Sequence, residues 1–92
     1  MATHLLIQGR VQGVGYRASF ASVAAQLGLA GWVRNRLDGS VEACVHGSTG
    51  QIEAIVTWAR KGPPASRVDE VLVSDSEELS PSDGKFAIHP TR

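Results

Sequence analysis

A chain of 92 residues is one domain's worth, and a domain this small places any site in a surface cradle of loops and strand ends. Nine Lys and Arg balance nine Asp and Glu, which excludes the basic surplus of a nucleic-acid binder. The single cysteine, Cys44, excludes an internal disulfide and fits a reducing, cytoplasmic compartment.

Residues 1–4 lack the positive start of a signal peptide, and the apolar run 5–7 is too short for its hydrophobic region. No run approaches the ~18 apolar residues that span a bilayer. The expectation is a cytoplasmic monomer with no membrane or nucleic-acid partner.

In residues 4–10, Leu5, Ile7 and Gly9 alternate with His4, Leu6 and Gln8, which predicts a strand. Gly9, Gly13 and Gly15 then mark a turning segment. Phe20, Val23, Ala24 and Leu27 fall at i, i+3, i+4 and i+7, predicting a helix over 18–27 that stops at Gly28. Two short strands, 32–37 and 40–46, flank Asp38-Gly39, a strong hairpin signal. In the second of them Val41, Ala43 and Val45 share one face, and Glu42, Cys44 and His46 the other. Ile52, Ile55, Val56 and Ala59 predict a helix over 51–61, ended by Gly62-Pro63-Pro64. A strand over 66–74, a polar loop over 75–84 and a last strand over 85–89 complete the chain.

The order βαββαβ plus a short terminal strand is that of an α+β, ferredoxin-like sandwich: an antiparallel sheet with both helices on one face, in a single domain over 1–92. A strand, its crossover helix and the next strand run the same way. The ends of the first two strands should therefore meet at one edge, with the loop 11–17 above it.

That loop, Gln12-Gly13-Val14-Gly15-Tyr16 followed by Arg17, joins a strand to a helix start. Helix N-termini present unpaired N–H groups and a partial positive charge, and glycines let several such groups face one concavity. Arg17 in the first turn leans back toward that end, and its planar fork can pair two phosphate oxygens. On these residues alone the segment is either an anion cradle or a plain turn with a solvated arginine. It lacks the Gly-Lys-Ser/Thr ending of a Walker loop and the glycine spacing of a dinucleotide fingerprint. Asn35, late in a strand where Asn is disfavoured, can orient a water through its amide or can simply lead into the hairpin.

Together these segments resemble the acylphosphatase family. Gly9 through Arg17 meets the pattern Gly-x-Val-Gln-Gly-Val-x-(Phe/Tyr)-Arg. Gly31 through Gly47 meets Gly-aromatic-Val-basic-Asn-x-x-x-Gly-x-Val-x5-Gly. No fixed position departs from either. The resemblance implies hydrolysis of a small-molecule acyl phosphate to a carboxylate and inorganic phosphate, with no metal, cofactor or covalent phosphoenzyme. Arg17 and Asn35 then correspond to the catalytic pair, and the amides of Gln12, Gly13, Val14, Gly15 and Tyr16 help to hold the phosphate.

The remaining polar and aromatic residues suggest less. His4, His46 and His89 show no metal-ligand spacing. Cys44 is expected on the open face of the sheet, inert rather than reactive. Trp32 and Trp58 read as packing residues, Tyr16 as a wall of an acyl pocket, and 76–78 as solvated loop. Arg34 and Arg36 either add positive potential near the site or are ordinary hairpin charges. Val41 to Val45 lacks the stacking aromatics of an RNA-recognition motif. The alternative to an enzyme is a regulatory domain that keeps an anion cradle without useful catalysis.

Overall fold

The computed structural model describes residues 2–92. Every expected element forms, with ends displaced by at most two residues: β1 (Ala2–Arg10), α1 (Tyr16–Gln26), β2 (Ala30–Asn35), β3 (Val41–His46), α2 (Thr49–Lys61), β4 (Arg67–Asp75) and β5 (Phe86–Ile88). They build one sheet in the order β4-β1-β3-β2-β5.

The period-2 pattern selects the core face. Leu5 and Ile7 of β1 lie opposite Ala43 and Val41 of β3, and opposite Val73 and Val71 of β4. Val33 joins them from β2 opposite Ala43. Against this face α1 packs Phe20 and Ala24, and α2 packs Ile52, Ile55 and Ala59. Ridges at i, i+3 and i+4 thus close both helices on the same side of the sheet. The N-terminus of α2 is locked by a capping box between Ser48 and Gln51.

Three of the four strand pairings are antiparallel, so the sheet is mixed rather than wholly antiparallel. β5 runs parallel to β2, with Gly31 opposite Phe86 and Val33 opposite Ile88. The cause is topological. β4 runs against β1, whereas β2 runs with it, one strand removed. A chain that reverses after β4 must arrive along β2 in β2's own direction.

Because β4 and β5 occupy opposite edges, the connection between them crosses the face that carries no helices. Residues 76–78 therefore lie over that face, with Ser76 partly buried and Glu77 and Glu78 exposed to solvent as expected. Trp32 Nε1 donates to Glu78 Oε1, and Ser76 Oγ lies 3.6 Å from Cys44 Sγ. Cys44 is on the face anticipated, but the face is not open there and the residue is fully buried. Burial, the largest influence, pushes its thiol above the ordinary range; the Ser76 hydrogen bond pulls the other way, and the Glu78 and Glu42 charges add smaller upward pushes. Further along, the His89 ring stacks on Trp32 with centroids 5.4 Å apart. The terminal residues continue beside β2, with His89 N–H donating to Val33 O, Arg92 N–H to Asn35 O and Leu37 N–H to Arg92 O.

Candidate active site

β1 and β2 run in the same direction, so Arg10 and Asn35 end at one edge of the sheet. The loop from Val11 to Gly15 turns there and becomes α1. Gly13 and Gly15 hold φ of 74° and 78°, a left-handed backbone that costs other residues about 1–2 kcal/mol. No neighbouring atom would meet a Cβ at either position, so conformation rather than space calls for glycine.

Gly15 is also the N-cap of α1, and it brings no side chain to the first-turn amides. No acidic residue stands in that turn. The positive end of the helix is left uncompensated, and Arg17 adds a further positive charge to it. This contrasts with α2, whose amides are capped internally by Ser48. Arg17 is half-buried, and its guanidinium has no ion-pair or hydrogen-bond partner among the described residues.

Asn35 closes the opposite wall. It pairs in register with Val41, which puts its side chain on the helix side of the sheet with Val33. Its Oδ1 is buried and lacks a hydrogen-bond partner among the described residues, the one such side-chain atom there. Buried acceptors are rarely left in that state, and each one calls for an explanation, a bound water or a catalytic role among them.

A hollow of about 220 Å³ joins these parts, lined by Gln12, Gly13, Gly15, Tyr16, Arg17 and Asn35, with Ile88 at its margin. Of the residues singled out from sequence, only Val14 is missing from the lining; its side chain packs against the core. Tyr16 needs a correction. Its ring is buried against Phe20 and Trp58 and its hydroxyl donates to Ala59 O at 2.8 Å, so it is a core residue rather than the wall of an acyl pocket. Burial pushes its phenol far above the ordinary range.

Arg34 and Arg36 belong elsewhere. Arg34 Nε and Arg36 Nη1 donate to Glu42 Oε1 at 2.8 and 3.1 Å, and His4 Nε2 lies 2.7 Å from Oε2. Burial opposes ionisation of Glu42, but the hydrogen bonds from His4 and Arg34 outweigh it and hold the carboxyl below the ordinary range. These arginines are committed to a carboxylate on the far face. Sequence reasoning missed two contributors: Ile88, which arrives only through the parallel pairing of β5, and the side chain of Gln12. The carboxamide of Gln12 donates to Arg36 O at 2.7 Å and Ser40 O at 2.8 Å.

The model of the acylphosphatase family matches residues 3–88. The chain belongs to the acylphosphatase family. An acylphosphatase of Cupriavidus necator is 52% identical over 83 residues, covering 90% of this chain and 84% of the relative. The crystal structure of acylphosphatase from Bacillus subtilis superposes with a TM-score of 0.88 at 35% identity, covering 96% and 97% of the two chains. A full-length HypF in its phosphate- and nucleotide-bound form matches at 32% identity and a TM-score of 0.86, covering 98% of this chain and 12% of the HypF chain. The protein is thus an acylphosphatase-type hydrolase acting on small-molecule acyl phosphates, as the two motifs implied. Among the described residues no helix is long and apolar enough to cross a membrane.

Proposed function

We propose that this acylphosphatase binds the phosphoryl group of its substrate in the hollow between the start of α1 and the end of β2. Arg17 pairs two phosphoryl oxygens through its fork, and the amides of residues 12–16 take up the remaining negative charge. Asn35 Oδ1 accepts a hydrogen from a water and turns the water's lone pair toward phosphorus. The new P–O bond forms as the bond to the acyl oxygen breaks. The carboxylate leaves with the bonding electrons, and a phosphoryl oxygen takes the proton of the attacking water.

An acyl phosphate needs little more. Its leaving group is a weak base, and phosphoryl transfer rests on positioning and charge stabilisation. In this reading the reaction is metal-independent and leaves no covalent phosphoenzyme. The whole chain acts as one domain, as a monomer, in the cytoplasm.

The observation that carries the reading is that Asn35, whose Oδ1 is buried without a hydrogen-bond partner among the described residues, lines the same hollow as an unpaired Arg17. Benzoyl phosphate hydrolysis, measured with and without a chelator, tests it. Chelator-insensitive turnover that collapses in Arg17→Ala and Asn35→Ala is expected. Absence of turnover in the intact chain points instead to a non-catalytic anion-binding domain.

A further inference from the structure

A second cluster of chemically capable side chains lies on the sheet face away from the helices, and the hydrolytic reaction makes no use of it. Cys44 and His46 are two residues apart on β3, so both project from that face. Glu78 reaches them from the segment that crosses it. One ligand atom from each of Cys44, His46 and Glu78 lies within 4.8 Å of the other two.

The spacing suits a particular class of ion. Cys44 Sγ is 3.6 Å from His46 Nε2. A tetrahedral zinc ion, with Zn–S of about 2.3 Å and Zn–N of about 2.0 Å, separates those two ligands by about 3.6 Å. Glu78 is exposed, and with its ligand oxygen already within 4.8 Å of both other donors a small shift brings it to ligand distance. It is already oriented, because Trp32 Nε1 donates to its Oε1 and its own N–H donates to Ser76 Oγ at 3.1 Å. A donor of this kind behind a metal ligand fixes its direction. One thiolate and one carboxylate would also neutralise a divalent ion in a half-buried setting. Sulfur and imidazole donors disfavour magnesium and calcium, which take oxygen.

We propose that Cys44, His46 and Glu78 bind a borderline divalent cation of the zinc class, on the opposite side of the sheet from the hydrolytic hollow. The ion displaces the thiol proton to solvent as the metal–sulfur bond forms. It pins the crossing segment to β3. Sequence alone hid the site because the third ligand comes from a polar segment with no periodic signal.

The test is titration of the full-length, tag-free chain with zinc chloride and cadmium chloride, followed by calorimetry and ultraviolet absorption. One equivalent should bind, cadmium should produce thiolate-to-metal charge-transfer absorption, and zinc should raise the thermal midpoint. Cys44→Ser should remove the cadmium signal, and His46→Ala and Glu78→Gln should each weaken zinc binding at least tenfold. Glu78 is exposed, so Glu78→Gln reports on the site even if substitution of the buried cysteine impairs folding. The proposal is overturned if wild-type protein shows no cadmium–thiolate absorption, or if zinc binds either His46→Ala or Glu78→Gln as tightly as wild type.

Discussion

Gln12 reaches across 24 positions of sequence to donate its carboxamide to the backbone carbonyl of Arg36, at 2.7 Å. A second hydrogen from the same nitrogen goes to Ser40 O at 2.8 Å. The glycine-rich loop is thereby strapped to the hairpin that begins directly after Asn35. The two halves of the hollow come from separate elements, and this side chain sets their separation.

Gln12→Ala removes both bonds while leaving the loop amides in place. Two hydrogen bonds of this type stabilise by about 1–3 kcal/mol together. The variant should be less stable by that amount in urea unfolding. Its kcat/KM for benzoyl phosphate should fall about 10- to 100-fold, because a displacement near 1 Å is costly to a positioned reaction. Unchanged kinetics in a destabilised variant would show that the strap serves folding alone.

Arg17 and Asn35 should fail in different ways. Loss of one oriented group in a site of this kind lowers kcat by about 10²–10³. Asn35→Ala should show that loss in kcat with KM nearly unchanged, since water rather than phosphate is misplaced. Arg17→Ala should lose more and should also weaken inhibition by inorganic phosphate. Arg17→Lys should recover little, because an ammonium lacks the bidentate fork. Normal turnover in Asn35→Ala would remove the water-orienting role.

The motifs and the periodic elements were visible in the chain because each is a local pattern. Leu5 and Ile7 alternate, Phe20 and Ala24 stack one turn apart, and both lie in the core. Long-range pairings carried no such mark. The parallel seat of β5 and the crossing of 76–78 follow from where β4 and β2 lie in the sheet, which no window of residues encodes. Tyr16 was misplaced for a narrower reason. A helix start set at residue 18 hid the i, i+4 relation of Tyr16 and Phe20, whereas α1 begins at Tyr16 and carries both rings inward. Asn35 showed as an odd residue in a strand and as the asparagine of the second motif; that its Oδ1 is buried without a partner among the described residues emerged from packing.

Gly15 offers a test of the loop's backbone separate from its side chains. At φ 78° with open space around it, Gly15→Ala meets no clash but pays the left-handed strain of about 1–2 kcal/mol. The loop can relieve that strain by changing conformation, which turns the first-turn amides away from the hollow. Phosphate affinity should fall with little change in secondary structure by circular dichroism. Gly50→Ala is the matched control: it lies inside α2, also in open space, where alanine should stabilise by about 0.5–1 kcal/mol. Phosphate affinity in the control should match that of the wild type.

The far face predicts how stability depends on acid. Glu42 carries His4, Arg34 and Arg36 at hydrogen-bond distance, and its folded carboxyl titrates below the ordinary value near 4.5. A depressed folded pKa means that the unfolded chain takes up the proton first. The contribution is therefore complete above the ordinary value and is lost as pH falls through the folded one. Glu42→Gln should cost on the order of 2 kcal/mol at pH 7, because the bonds from Arg34 and Arg36 lose the acceptor's charge and the amide leaves two guanidinium groups without a counter-ion. That deficit should shrink as pH is lowered below about 4.5, where the wild type gives up the same interactions. Urea midpoints of the two proteins, measured from pH 7 to pH 3, should converge. A constant gap across that range would mean that Glu42 acts through packing rather than through its charge.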